Sequence, residues 1–455
     1  MANDRRLPAV LTVAVATVLG VDLANVRAYT GVPSFAVSTA GGLLLGVLAV
    51  LWLRLPRGAS IPASWIRWLG TVPAAFGGAS ILLRGAVGAG PLLGLGLAAA
   101  MGVVWMLAAT FARRSLWVVA GAIVCGLALR AWELAVIPIN PGRADMVPLV
   151  MLATDRALSG LSPYVVYHFP WAVPLTYLPG TWLPYAPLFV AGIDPRWTNP
   201  AAELLVLGAL VFAGRNRRDK TLRDAALVLW ATWFVSNPMF NYDASTTAQP
   251  QWAALAWVAA LAVERSRWTP VAIGVAMATT LLVGPLLPLL FIAWHRGHNR
   301  PAAPRPHRGS ARPLLRAIAI TTVVAVTLVA PWALTAPRGF FDGVILWFND
   351  LGRFPREKWL ESRTWATYPG LAGVFWTLHL ERWMKPIQIA LVGGLAVLFA
   401  RRTAAGGPRE LLAPQLVGVL LAFLLFNPVI WGYLWEAAVA LSLVALAAQR
   451  EPQVG

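Results

Sequence analysis

Long apolar runs recur along the chain, at 7–26, 92–111, 116–137, 314–334 and 386–400, with few charged positions inside them. About 20 residues at 1.5 Å each cross a hydrocarbon core ~30 Å thick, so the pattern predicts repeated membrane-spanning helices. Two segments break it. The run 174–193 is apolar but interrupted by Pro174, Pro179, Gly180, Pro184 and Pro187. A straight helix would lose a backbone bond at each interior proline, which predicts a re-entrant or interfacial piece. The run 269–294 is divided by Gly284-Pro285, which predicts two short half-crossings. A third pattern is amphipathic. Across 145–160, Met146, Leu149, Val150, Ala153, Ala157 and Leu158 recur at helical spacing, as expected of a helix lying on a membrane surface.

Composition strengthens the membrane reading. Hydrophobic residues make up 58% of the 455 and charged residues 12%, against about 25% charged in soluble domains. The net charge of +18 raises a nucleic-acid reading. The arginines lie in short loops between apolar runs rather than on one polar face, which fits the positive-inside rule and speaks against nucleic acid. Arg5/Arg6, Arg54/Arg57/Arg67, Arg113/Arg114, Arg215 to Arg223, Arg265/Arg267, Arg296 to Arg316, Arg401/Arg402/Arg409 and Arg450 hold 24 of the 37 Lys and Arg residues. One threading puts them all in the cytoplasm with both termini, and needs about 14 crossings, with roughly 12 to 14 compatible with the runs. The fold class expected is an all-α integral membrane protein, a polytopic helical bundle with amphipathic surface helices in its outer loops. Residues 1–115 read as N-terminal transmembrane helices, 116–295 as a core, 296–313 as a basic cytoplasmic linker and 314–455 as C-terminal transmembrane helices. The start 1–7 followed by an apolar run resembles a signal peptide, but no small-residue cleavage site precedes a soluble domain, so a retained first helix is expected. Cys125 is the single cysteine, which excludes an internal disulfide.

This threading leaves two sizeable loops outside, 138–174 and 335–367. The first holds Arg143, Asp145, Asp155, Arg156, Tyr164, Tyr167 and His168. The second holds Phe340, Phe341, Trp347, Phe348, Phe354, Trp359 and Trp365 among Arg353, Arg356, Lys358 and Arg363. Aromatics mixed with cations suit a headgroup or lipid-phosphate site, although aromatic belts are common in membrane proteins.

The order of motifs adds a resemblance. Asp145-Met146 follows an apolar helix, and Arg156-Ala-Leu-Ser-Gly-Leu-Ser-Pro-Tyr164 follows about a dozen residues later. An aromatic, proline-rich run comes next, with Tyr177-Leu-Pro-Gly and Leu183-Pro-Tyr-Ala-Pro-Leu188. Asn237-Pro238 closes one helix, Thr247-Ala-Gln-Pro-Gln251 opens another, and Asn427-Pro-Val-Ile-Trp-Gly-Tyr433 makes a late corner. Together these resemble the C-type (GT-C) membrane glycosyltransferases that draw sugar from a polyprenyl-phosphate donor on the outer leaflet, in particular actinobacterial mannosyltransferases. The resemblance runs from about 116 to 450. It departs where many relatives carry a lysine and this chain has Thr279-Thr280 and Gly284-Pro285, and where Gly-Gln has become Ala248-Gln249.

What the resemblance implies is transfer of a sugar, mannose or arabinose, from a polyprenyl-phosphate donor to an envelope lipid, glycan or protein at the outer face of the cell membrane, with inversion. Such transfer needs a base for the acceptor hydroxyl and countercharge for the leaving phosphate. Asp145 is the expected base; the competing reading makes it the N-cap of the surface helix. Asp155 beside Arg156 reads as a surface ion pair. Arg143, Arg353, Arg356, Lys358 and Arg363 are candidates for the phosphate. Tyr164 and His168 are candidates for sugar or phosphate, against the reading of His168 as an ordinary loop residue. Asn237, Asn241, Tyr242, Asp243 and Gln249 gather at one outer corner, and Trp431, Tyr433 and Glu436 at another; each set either lines a sugar cavity or satisfies itself at a helix end. Asp22 with Arg27, and Arg130 with Glu133 at i,i+3, read as structural pairs. No P-loop, Gly-x-Gly-x-x-Gly, Asp-x-Asp or His/Asp metal cluster is present in the sequence, so no cofactor is expected and a nucleotide-sugar donor is disfavoured. The partners expected are the lipid-linked donor, the envelope acceptor and membrane lipids. A transporter or flippase of a lipid-linked substrate is the rival class, since broken helices suit it; a non-catalytic partner that kept the fold is the third.

Overall fold

The computed structural model describes residues 6–30, 35–54, 60–62, 115–141, 145–169, 172–217, 220–236, 246–298, 311–347, 370–404, 411–427 and 432–449. The described protein is predominantly helical. Its helices are α1 (Ala9–Thr30), α2 (Phe35–Arg54), α3 (Ser115–Val136), α4 (Met146–Leu158), α5 (Pro179–Trp182), α6 (Ala186–Val190), α7 (Thr198–Ala213), α8 (Thr221–Ser236), α9 (Gln249–Val263), α10 (Thr269–Thr279), α11 (Leu287–His298), α12 (Arg312–Ala333), α13 (Pro337–Phe340), α14 (Ala372–Thr377), α15 (Met384–Ala404), α16 (Leu412–Leu425) and α17 (Gly432–Ala447). Two antiparallel ribbons complete the set: β1 (Arg6–Pro8) with β2 (Ser60–Pro62), and β3 (Val166–His168) with β4 (Ala172–Pro174).

One helix stands at the centre. Every residue of 435–448 is buried, and α17 packs against α1, α7, α8, α9 and α16. Its alanines let these neighbours close around it, and a single apolar core joins them. The perimeter is different in kind. Among the described residues three helices are long and apolar enough to cross a membrane: Leu116–Ala135, Arg312–Ala333 and Glu381–Thr403. They turn large apolar side chains outward: Leu116, Trp117 and Val124 from the first, Leu315, Val323 and Val326 from the second, Ile389 and Val397 from the third. An apolar perimeter of this extent is what a lipid environment accommodates and water does not.

The perimeter helix α12 is held by a close seam. A methyl group at Gly274 of α10 would stand 2.7 Å from the Thr321 carbonyl oxygen, and the Thr321 hydroxyl donates to the Pro270 carbonyl at 2.9 Å. Small residues here let two backbones approach, as in helix pairs that associate without a water-driven hydrophobic force.

The proline-broken segment forms no straight helix. It folds as β4, α5, a 3-10 turn (Leu183–Tyr185) and α6, in keeping with its five helix-breaking residues. The break in 269–294 falls earlier than Gly284-Pro285. α10 ends at Thr279, Thr280 is extended (φ −148°, ψ 141°), and Gly284-Pro285 lie inside a 3-10 helix, Leu281–Leu286. The reason is local chemistry. The Thr280 hydroxyl accepts from the Leu282 amide at 3.2 Å and donates to Gln251 Oε1 at 3.1 Å, so the side chain offers the backbone a substitute for the next helical bond. At 11 residues α10 is about 16 Å long.

The amphipathic helix forms where its spacing predicts, as α4. Leu149, Val150 and Ala153 are buried, Met146 and Ala157 half-buried, and Leu158 exposed. The inward face joins a second apolar cluster with Tyr164, Tyr167, Trp182, Tyr185 and Val344. The cluster also brings together the two segments expected to lie outside. Tyr164 meets Phe340 edge-on at 4.8 Å and the Thr335 and Ser162 hydroxyls are hydrogen-bonded at 3.0 Å; alongside, Trp182 of the proline-broken segment meets Trp332 of α12 edge-on at 5.1 Å. The basic linker lies largely outside the described residues, as do 348–369.

Candidate functional site

Asp145 directly precedes α4, in the N-cap position, yet its side chain makes no capping hydrogen bond to the first amides of the helix. The capping role weighed against catalysis is therefore not what its carboxylate does. Its electrostatic neighbour is Tyr177, in the turn between β4 and α5. Burial pushes the Tyr177 phenol well above the usual tyrosine range; Tyr433 and Asp145 add to the rise, and hydrogen bonds with the Thr247 and Thr176 side chains act against it.

That neighbourhood is the candidate site. Asp145 opens α4, Thr247 stands two residues before α9, and Tyr433 lies in the first turn of α17. Tyr177 thus interacts with side chains that stand at or beside the starts of three helices, α4, α9 and α17. Trp252 of α9 ties two of them together, its indole N–H donating to the Tyr433 carbonyl at 3.3 Å. Such a convergence suits an anionic group placed between them. Gln249, the first residue of α9, is fully buried.

A supporting layer fixes the approach to α9. The Tyr185 hydroxyl donates to Asn199 Oδ1, and Asn199 Nδ2 donates to the Thr246 carbonyl at 2.9 Å. The turn carrying Tyr177 is fixed from two sides. Gly160 takes φ +72°, a conformation glycine reaches without strain, and ends α4. The chain then runs to Tyr164, which is buried and donates its hydroxyl to the Tyr177 carbonyl at 3.1 Å. On the other side the Thr181 hydroxyl donates to the Thr279 carbonyl at the broken end of α10. Tyr164 is thus a packed structural neighbour of the site. Tyr167 donates to the Pro163 carbonyl at 2.7 Å, and burial pushes its phenol up to about 12, with the Arg156 charge pulling the other way.

The structure unites Asp145, Tyr164 and Tyr433 around Tyr177 and places Gln249 at the head of the adjoining helix. His168 stands on the exposed side of β3, opposite in direction to Tyr167. Arg143, Asn237, Asn241, Tyr242, Asp243, Arg353, Arg356, Lys358, Arg363 and Trp431 lie outside the described residues. Asn427 accepts from Gln388 Nε2 at 3.4 Å. Among the described residues no three His, Cys, Asp or Glu side chains stand together as a metal site.

One pairing differs from expectation, and another has a partner that the sequence did not show. Arg156 donates to the Ser162 carbonyl at 2.9 Å rather than pairing with Asp155 among the described residues, which closes the turn after α4. Arg130 pairs with Glu203 of α7 at 3.0 Å, both nearly inaccessible, and its guanidinium lies 4.4 Å from the centre of the Phe234 ring. Helical spacing shows only partners on the same helix, so the i,i+3 reading with Glu133 had no access to Glu203. Glu133 itself is fully buried. Arg196 was also missed. It is buried, grips Asp194 through two nitrogens, and donates to the Leu134 and Ile137 carbonyls at the end of α3. Only its position after Asp194-Pro195 hints at this, since an Asp-Pro turn orients the next side chain. Tyr177 had a signal, the Tyr177-Leu-Pro-Gly run, which marked a motif without assigning that residue a role.

Comparison with protein-family models, with curated proteins and with solved structures finds no match for this chain.

Proposed function

We propose that this protein is a polytopic membrane glycosyltransferase that moves a sugar, mannose or arabinose, from a polyprenyl-phosphate donor to an envelope acceptor at the outer leaflet. The bundle then has about 14 crossings and both termini in the cytoplasm, following the distribution of arginines. Asp145 acts as the base, taking the proton of the acceptor hydroxyl as its oxygen attacks the anomeric carbon and the polyprenyl phosphate leaves with the bonding pair.

The observation that carries the reading is the meeting of Asp145, Tyr433 and the approach to Gln249 around Tyr177. Residues drawn from three distant motifs share one neighbourhood, and one of them is a carboxylate not used as a helix cap. The helix N-termini there suit the donor phosphate, so part of the countercharge sought from Arg143, Arg353, Arg356 and Lys358 comes from backbone. The apolar perimeter of α12 and α15 suits a lipid-linked donor arriving through the bilayer.

The rival, a transporter, draws on one feature: Arg130, Glu133 and Glu203 are buried charges within the helical bundle, where ionisable groups are costly and often functional. The two readings separate on one assay. Membranes carrying the wild type should transfer radiolabelled sugar from polyprenyl-phosphate mannose or arabinose to an endogenous acceptor, and Asp145→Asn should lose about 100-fold or more of the rate. Equal transfer by the two proteins removes Asp145 as base. No transfer by either, with movement of the intact lipid-linked sugar across vesicles, establishes the transporter.

A further inference from the structure

The two segments expected outside are joined by more than aromatic packing. Residues 335–346 form a strap: a turn, the short helix α13, and a π-helix, Phe341–Leu346. π-Helical turns are rare and often mark functional places, so the surroundings of this one are informative. What holds it is backbone. A methyl group at Gly339 would collide with the Tyr164 carbonyl oxygen, and one at Gly343 with the Leu175 carbonyl oxygen. Glycine at these two positions lets the strap lie directly on the chain below, close enough for Cα–H to carbonyl contact. Phe340 between them is the residue stacked edge-on against Tyr164, and Thr335 fastens the start of the strap to Ser162.

The two carbonyls have a common significance. Leu175 is two residues before Tyr177, and Tyr164 donates its hydroxyl to the Tyr177 carbonyl. The strap therefore sits on Tyr164, one of the two supports of the turn that carries Tyr177, and on the chain two residues before that turn. We propose that the 335–346 strap is a positioning device for the candidate site, with Gly339 and Gly343 as its seating points and Tyr164 as the link that transmits the seating to Tyr177. The assignment rests on Asp145 and Tyr177 forming the site, but not on which reaction occurs there. Neither glycine touches substrate in this account; both act through Tyr164 and Leu175.

The test uses the full chain in lipid nanodiscs, with Gly339→Ala, Gly343→Ala and the milder Thr335→Val, which removes the hydroxyl and its bonds to Ser162 and the Trp332 carbonyl without adding bulk. Gly394→Ala is the control, because a methyl group there meets open space. Hydrogen exchange followed by mass spectrometry should show the peptides covering 164–178 exchanging about tenfold faster in Gly339→Ala and Gly343→Ala, and to a smaller degree in Thr335→Val. Peptides from the central helix α17 should be unchanged in all, and Gly394→Ala should match the wild type. Sugar transfer, in the same samples, should fall chiefly in kcat with KM nearly kept, since positioning the reacting groups rather than binding is disturbed. Unchanged exchange of 164–178 in the variants that fold overturns the seating. Faster exchange with unaltered kcat overturns the positioning role. If the wild type transfers no sugar, the glycosyltransferase reading fails by itself. The strap is then judged by exchange together with carbodiimide labelling of Asp145, which must rise in the glycine variants if the strap orders that site and stay constant if it does not.

Discussion

Glu203 and Asp145 are both carboxylates of a largely apolar helical protein, and they are handled in opposite ways. Glu203 lies in the middle of the bundle. Arg130 reaches it across two helices at 3.0 Å, the Phe234 ring covers the guanidinium, and the Trp230 indole donates to the Glu203 carbonyl at 2.9 Å. Everything around it fixes one arrangement. Asp145 stands at a helix start, does not cap that helix, and shares its surroundings with the phenol of Tyr177. The first acid is enclosed by partners that compensate its charge; the second is placed where three chain segments meet. The lesson is that burial alone does not mark function in such a bundle. Under the proposed reading, the carboxylate that matters is the one that does not cap the helix it precedes.

Four measurements sharpen or break this contrast. The largest effect should come from Glu203→Gln, which breaks a buried ion pair and should cost about 3–5 kcal/mol of stability, read as the unfolding midpoint in detergent. A midpoint within error of the wild type would mean that the pair is not structural. Asp145→Asn should show the reverse profile, with stability unchanged within about 0.5 kcal/mol and loss of transfer as above. A destabilisation comparable to that of Glu203→Gln would erase the distinction. Arg196→Met should lie between, at roughly 1–3 kcal/mol, because it uncovers two carbonyls at the end of α3 and leaves Asp194 without its clamp. The smallest effect concerns pH. The Tyr167 phenol, pushed up to about 12, holds its proton more tightly folded than unfolded, where the value is about 10. Its contribution is complete below about pH 10 and is lost as pH rises through the window from about 10 to 12. Tyr167→Phe should flatten the stability profile in that window, with the loss of one late-ionising tyrosine in the absorbance titration at 295 nm.

Much of this was legible in the sequence, and what was not follows a rule. The helix α4 could be read because its apolar positions repeat along one element. The broken nature of 174–193 could be read because prolines act on their own backbone. Asp145 and Tyr433 of the proposed site could be nominated because they sit at element ends within motifs. Partners across elements left no such trace. Arg130 and Glu203 are 73 positions apart, and no periodicity links them. Gly284-Pro285 are the residues that disfavour helix most, yet a threonine with two hydrogen-bonding opportunities, the Leu282 amide and Gln251, ends α10 first. Gly339 and Gly343 looked like ordinary loop glycines, because the carbonyls that require them belong to another segment.

The bond from Thr181 to the Thr279 carbonyl has a consequence in time. The two residues are 98 positions apart, so during synthesis the 179–182 turn emerges long before the helix end it plugs. Contacts of such separation form late, since the intervening chain must be ordered before the loop closes. Until then the turn carrying Tyr177 has no anchor on that side, and the terminal carbonyl of α10 has no donor. Chain arrest shortly before 279 should therefore yield a protein whose early helices have formed while the Tyr177 turn remains unset. The neighbourhood of Tyr177 would be among the last parts of the molecule to mature, after the scaffold that presents it.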